Sequence, residues 1–154
     1  MKTPQESETI MTEVVCPNDT NPMGLLQGGR LVQWMDIAAA VCAQRHADQI
    51  CVTSHINAMR FRSSAKVGDV LTINAKLTRA FTTSMEILVQ AWSKRLHVKN
   101  PVLINDAYFS FVAVNSEGTP QRVPMVKPQS QIEQSEFEDA LLRRQTILST
   151  GKNS

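Results

Sequence analysis

The sequence predicts an α+β fold in which one long helix is wrapped by a curved antiparallel sheet, with a second helix appended at the C-terminus. Three observations carry this. A single alanine-rich, apolar helical stretch follows a glycine loop near the start of the chain. Everything from Ile50 to Asn115 then reads as strand. The tail "QSQIEQSEFEDALLRRQTILST" returns to a helical pattern.

The elements follow in order. Residues 1–9 are polar and expected to be loose, with the folded domain over 10–126 and a helical extension over 127–154. "IMTEVVC" is short and apolar enough for a first strand. "PNDTNPMG" is dense in turn formers and reads as a loop. Pro22 biases Asn21 towards an extended backbone. From about Gly29 to about Ala47, Leu31, Val32, Met35, Ala38, Ala39 and Cys42 recur at three- and four-residue steps, the helical period. Alanine favours helix and lets neighbours approach closely. "RHAD" ends the helix with basic groups at its carbonyl end, the favourable side of the dipole.

The strands differ in regularity. "CVTSHINAMRF" alternates loosely. "VLTINAKLTRA" alternates better, with Leu71, Ile73, Ala75 and Leu77 on one side and Thr72, Asn74, Lys76 and Thr78 on the other. "MEILVQAW" puts Met85, Ile87, Val89 and Ala91 on one face, and "VLINDAYFSFVAV" is rich in aromatic and β-branched residues. In the tail, acids come early and Arg143 and Arg144 late, the dipole-favoured order. One central helix cannot cover both faces of such a sheet. The other face is therefore expected to be solvated or covered by another chain.

With 154 residues, 42% hydrophobic and 19% charged, the chain suits one globular domain rather than a disordered segment. A net charge of +2 is too weak to argue for nucleic acid, although "SKRLHVK" is basic enough to hold a phosphorylated ligand. Cys16, Cys42 and Cys51 are odd in number and lack paired spacing, so free thiols in a reducing compartment are expected. The three histidines are scattered, and no zinc-type cluster is visible. "MKTPQESETI" lacks the apolar core of a signal peptide, and no apolar run is long enough to span a bilayer. A cytoplasmic protein without membrane insertion is expected.

Gly24, Gly28 and Gly29 are three of only six glycines in the chain. Gly28 and Gly29 stand at the helix start, where the first turn has unpaired N–H donors and a positive dipole end. With no side chains in the way, a ligand oxygen can approach them, which is what an oxyanion hole requires. Such glycines serve equally to let a loop turn, and the sequence leaves both readings open. Neither G-x-G-x-x-G nor G-K-[ST] occurs there, so the loop is not a dinucleotide or Walker pattern.

Asp36 interrupts the apolar helix. Its neighbours three and four residues away are Val32, Gln33, Ala39 and Ala40, so no local ion pair explains it. It is too deep in the helix to be an N-cap. Burying an unpaired carboxylate is costly, so a buried Asp36 needs a tertiary partner or a function; a solvated Asp is the plain alternative, which Trp34, Met35, Ile37 and Ala38 beside it argue against. It stands seven residues after Gly29, almost two turns, hence on the same side and about 10 Å along the axis. A catalytic base works within about 3 Å, or one water, of its target. One chain's Asp36 is thus not expected to serve its own glycine loop. If both act in one reaction, two chains combine to make the site.

Taken in order, "PNDTNPMG", "GGRLVQWMD", "QRH", "VTSHINAMRF", "KVGDVLTINAKLTRAFTTSMEI" and "AYFSFVAVNSEGTP" resemble the acyl-CoA hydrolase branch of the hotdog-fold acyl-CoA thioesterases. The resemblance spans roughly residues 10–126. It implies the hotdog fold, dimers joined edge to edge, three such dimers in a hexamer, and an active site between two subunits. It implies hydrolysis of acyl-CoA to coenzyme A and a carboxylic acid, in fatty acid metabolism, with no metal or other cofactor. It puts the catalytic carboxylate on Asp36, a helper from the neighbouring subunit on Asn21, and oxyanion-binding N–H groups on Gly28 and Gly29. The family usually carries an acid where this chain has Asn57, and Pro22 stands where small or polar residues are common.

For coenzyme A itself, the candidate contacts are Gly24, Arg60, Arg62, Thr83, Ser84, Lys94, Arg95 and Lys99. Phosphates need cations or bare N–H groups. For each cation, a solvated surface charge is the plainer reading. His55 reads as a packed histidine, His46 as a partner of the helix dipole, and Trp34 and Met35 as core or interface. Two rivals remain at this point. A hotdog dehydratase would use a His that the glycine loop lacks. A non-catalytic acyl-CoA binder or sensor would need no acid at Asp36.

Overall fold

The structure is a computed structural model that describes residues 1–152, with side chains to residue 149. Five strands form one antiparallel sheet: β1 (Thr9–Val14), β2 (Ile50–Phe61), β3 (Val70–Ala80), β4 (Ser84–Lys94) and β5 (Val102–Val114). Their order is β1-β3-β4-β5-β2. Helix α1 (Gly28–Ala47) runs between β1 and β2 in the chain, and helix α2 (Gln131–Lys152) closes it. The α+β class is as expected. The ends of β3 and β5 coincide with "VLTINAKLTRA" and "VLINDAYFSFVAV".

The inner face of the sheet packs on α1. Leu71, Ile73 and Ala75 of β3 and Met85, Ile87, Val89 and Ala91 of β4 are all fully buried. They meet Leu31, Trp34, Met35, Ala38, Ala39 and Cys42 of α1 in one apolar core. Trp34 and Met35 are thus core residues. The alanines let the sheet approach the helix closely, as the period predicted. Cys42 and the half-buried Cys51 are free thiols, each pushed up to about 11 by burial, so neither is a thiolate near neutrality.

The outer face is neither bare nor left entirely to another chain. Helix α2 lies across β3 and β4, with Ala140 fully buried and Phe137 packed on the core. Arg143 clamps Glu86 of β4 through two hydrogen bonds of 2.9 and 2.7 Å, and its guanidinium lies 3.6 Å from the Tyr108 ring centroid. Lys76 of β3 pairs with Glu133 at 2.7 Å. Ser130 Oγ accepts the Glu133 N–H and caps the helix. The polar outer residues that looked solvated therefore partner the charged face of α2.

The first residues are docked, not loose. Lys2 forms backbone hydrogen bonds with Met125 and Lys127, and its ammonium donates to the His46 carbonyl at 2.8 Å. That cation supplies the favourable charge at the C-terminal end of α1. His46 itself does not face that end as a dipole partner. It is fully buried, and its Nε2 lies 2.6 Å from the Pro124 carbonyl, so Nε2 carries the proton and donates. Burial holds its pKa below the usual value, against the pull of that hydrogen bond.

Strand β2 is the most irregular, with two register shifts against one in each of the β3–β4 and β4–β5 pairings. Its pairing with β5 shifts register between Thr53 and His55 and again between Asn57 and Arg60, and Ala58 has φ 53°. These bulges are why "CVTSHINAMRF" alternates poorly. β2 also ends the sheet, so one edge of its backbone has no partner strand among the described residues. Among the described residues, no helix is long and apolar enough to cross a membrane.

Candidate active site

The loop before α1 is built by its turn residues. Asn21 Oδ1 accepts the Met23 and Leu25 N–H groups at 2.9 and 3.2 Å, and the Asn21 N–H donates to the Leu25 carbonyl at 2.8 Å. Gly24 closes the turn with φ 76°, a backbone that favours glycine. The Asn21 carbonyl is thus committed to the turn, while its side-chain NH2 has no partner among the described residues. Asp19 ties the loop to the helix: its carboxylate accepts the Cys16 N–H at 2.9 Å and pairs with Arg30 at 3.3 Å.

Gly28 and Gly29 open α1, and the preceding Gln27 offers no side-chain cap. Among the described residues, no acceptor meets either glycine N–H. A Cβ placed on Gly28 would lie 3.3 Å from Phe61 Cε1, whereas one on Gly29 would meet nothing within 4 Å. A side chain at Gly28 would press on the exposed Phe61 ring, which would have to shift by a few tenths of an ångström. Gly29 faces open space, so only access, not packing, calls for glycine there. Asn21, Gly28, Leu31 and Phe61 line one cavity of about 210 Å3.

Asp36 stands two turns further along α1, half-buried, and does not line that cavity. Its Oδ1 accepts the Thr53 hydroxyl from β2 at 2.8 Å. Among the described residues, this is its one hydrogen bond, and no cation pairs with it. Thr53 is a partner that the sequence reading missed. The structure thus brings Asn21 to Gly28, and Asp36 to Thr53, but does not join the two pairs within one chain.

The other candidates scatter. Arg62 is held by Asp106 through two hydrogen bonds of 3.0 Å, which raise its pKa. Arg60, Lys94 and Lys99 are exposed, and Asn57 is half-buried in β2. Arg95 lies 3.5 Å from Asp69 and lines a separate cavity of about 200 Å3. Thr83 and Ser84 line a third, of about 270 Å3, with Arg144 and His55; Ser84 Oγ accepts from Arg144 at 2.8 Å. His55 is exposed rather than packed, as are its neighbours Thr53, Ser54 and Ile56 on this edge strand. Among the described residues, no cluster of His, Cys, Asp or Glu would hold a metal ion.

Residues 23–99 match the thioesterase superfamily. A solved apo-hexameric acyl-CoA thioesterase superposes with TM-score 0.93 at 35% identity, covering 97% of this chain and 96% of that one. An acyl-CoA hydrolase from Staphylococcus aureus, solved with butyryl coenzyme A, coenzyme A and coenzyme A disulfide, gives 0.90 at 32%, over 99% and 94%. The same enzyme has been solved with an aspartate, a threonine or an asparagine replaced by alanine. The acetyl-coenzyme A thioesterase of Mus musculus is 33% identical over 141 residues, 92% of this chain but 25% of its own length. The chain thus spans about a quarter of that relative. A helix wrapped by an antiparallel sheet, with a glycine loop at the helix start, is the hotdog arrangement, and the chain belongs to the thioesterase superfamily. Within it, the likeness is to the acyl-CoA thioesterases.

Proposed function

We propose that the protein hydrolyses acyl-CoA thioesters to coenzyme A and a carboxylic acid, at a site shared between two chains. The observation that carries this reading is Asp36, a half-buried carboxylate with a hydroxyl partner and no cation. Such a group is a poor structural element and a good base or nucleophile. The alanine replacements made in the Staphylococcus aureus hydrolase support it. They stand at the same spacing along that chain as Asn21, Asp36 and Thr53 along this one.

The chemistry balances simply. The thioester carbonyl oxygen sits at the Gly28 and Gly29 N–H groups, where negative charge develops. Asp36 of the neighbouring chain takes a proton from water, whose oxygen bonds to the carbonyl carbon. The C–S bond breaks, and the proton passes to the departing thiolate. Thr53 orients the carboxylate, and the free NH2 of Asn21 orients the water or the thioester. No metal or redox step is needed.

The pairing of chains is supported by β2. Its open edge carries Ile50, Val52 and Ile56, which are 60%, 48% and 43% exposed, and such an edge is a template for another strand. Edge-to-edge dimers, assembled further into hexamers, would cover it. Residues 10–126 form the catalytic domain in this reading, and 127–154 the C-terminal extension, whose helix α2 braces the outer face. The test is thiol release from acyl-CoAs of short to long chain, with wild type beside Asp36→Ala. Release by wild type alone supports the hydrolase. Tight acyl-CoA binding with no release would replace it with the non-catalytic binder.

A further inference from the structure

One end of the sheet carries a surface that the proposed chemistry does not use. The connection from β2 to β3 and the connection from β4 to β5 meet there. Asp69 joins them: Arg95 lies 3.5 Å from its carboxylate, and the Ser93 hydroxyl donates to it at 3.3 Å. Val70 also stands opposite Lys94 in the β3–β4 pairing. The tips of this end are apolar and bare. Leu96 is 76% exposed, and Val67, Val70, Val98 and Val102 are exposed around it. Lys66, Lys94 and Lys99 stand exposed among them, with no acid partner among the described residues. The one acid within 62–69 and 94–102 is Asp69, which is buried and paired with Arg95. Cations are therefore left in excess.

We propose that this end docks on the surface of an anionic lipid bilayer. Leu96, Val67 and Val98 reach the boundary between headgroups and acyl chains, and Lys66, Lys94 and Lys99 meet the lipid phosphates. Apolar tips ringed by cations match a surface that is anionic at its face and apolar just beneath. Lysine suits the ring, because its stem lies along apolar surface while its charged head reaches outward. A second copy of the same patch fits less well, since two such surfaces face to face bring like charges together. The contact is shallow, made by chain turns, and no element crosses the bilayer.

The place of this surface in the fold adds to the argument. The Leu26 N–H donates to the Ala65 carbonyl at 2.8 Å, and Leu25 bridges to Lys66. The loop that opens α1 thus lies against the β2–β3 connection, with Met23 of that loop exposed as well. A bilayer docked here lies beside the glycine loop. On the acyl-CoA reading, a long-chain acyl-CoA held in lipid would be presented close to the site. That consequence rests on the hydrolase reading; the docking surface itself does not.

Vesicle cosedimentation of the full chain tests the proposal. The vesicles are phosphatidylcholine alone, or phosphatidylcholine mixed with phosphatidylglycerol. Wild type is expected to sediment with the mixed vesicles and not with the neutral ones, and to be released as salt rises. Leu96→Asp should weaken binding by about tenfold or more, and Lys66→Gln by about fivefold. Both variants should keep the circular dichroism and assembly size of wild type, which separates a lost contact from a lost fold. Failure of wild type to sediment with mixed vesicles at low salt would overturn the proposal. Equal sedimentation with neutral vesicles, or full binding by Leu96→Asp, would overturn it too. So would a Leu96→Asp chain that breaks into smaller assemblies, because the tips would then belong to a second copy. None of these readouts involves hydrolysis, so the lipid contact can fail while the hydrolase stands, and the reverse.

Discussion

β2 and β4 flank the same strand, β5, yet they are opposite in character. In β4, Met85, Ile87, Val89 and Ala91 are fully buried, and the residues between them face α2 or solvent. In β2, no residue is buried, the register shifts twice, and one backbone edge is open. β4 builds the core against α1. β2 supplies Thr53 to Asp36 and Phe61 to Gly28. The regular strand carries stability, and the irregular one carries the groups that the proposed chemistry needs. Bulges allow this, because they aim side chains where strict alternation would not.

Substitutions sharpen the contrast. The largest effect is expected for Asp36→Ala, a fall in turnover of about a hundred- to ten-thousandfold with the fold and assembly intact, checked by thiol release and circular dichroism. If Asp36→Ala instead unfolds the protein while activity per folded molecule persists, Asp36 is structural. On β2, Thr53→Val should lower kcat by roughly tenfold or more, with little change in KM or in the thermal midpoint, since it removes one hydrogen bond to a charged group. On β4, Ile87→Ala should do the reverse. It should cost about 2–5 kcal/mol in denaturant unfolding and leave turnover per folded molecule near wild type.

The smallest effect concerns pH and lies far from both strands. Burial depresses the His46 pKa, so the unfolded chain binds a proton that the folded chain refuses. Its share of stability is full above the ordinary histidine value and is lost as pH falls through that value towards the depressed one. Denaturation midpoints across that window should therefore fall less steeply in His46→Gln than in wild type. Equal slopes would show that His46 does not contribute.

The same contrast explains what could be read from the sequence. β3 and β4 were legible because their alternation leaves a period that needs no partner to be seen, and β5 because aromatic and β-branched residues fill it. Asp36 was legible because its helix neighbours include no cation. Thr53 was not, since a single hydroxyl in a strand looks like any other threonine and its tie to Asp36 crosses between elements. The docking of Lys2 at the end of α1 joins residues far apart in the chain and leaves no local pattern. The outer face was expected to be solvated or covered by another chain because one central helix cannot cover both faces of the sheet. Only the fold shows that Lys76 of β3 pairs with Glu133 of α2, and Glu86 of β4 with Arg143 of α2.

The shared site is the central claim, and complementation tests it most directly. Asn21→Ala and Asp36→Ala chains are each expected to be nearly inactive as homodimers. Co-expressed in equal amounts, they form mixed dimers in which one of the two sites is intact, with Asn21 from one chain and Asp36 from the other. A shared site then predicts recovery of roughly a quarter of wild-type thiol release for random pairing. Release no higher than that of the two parents, in dimers shown to be mixed, would contradict it and place the whole reaction within one chain.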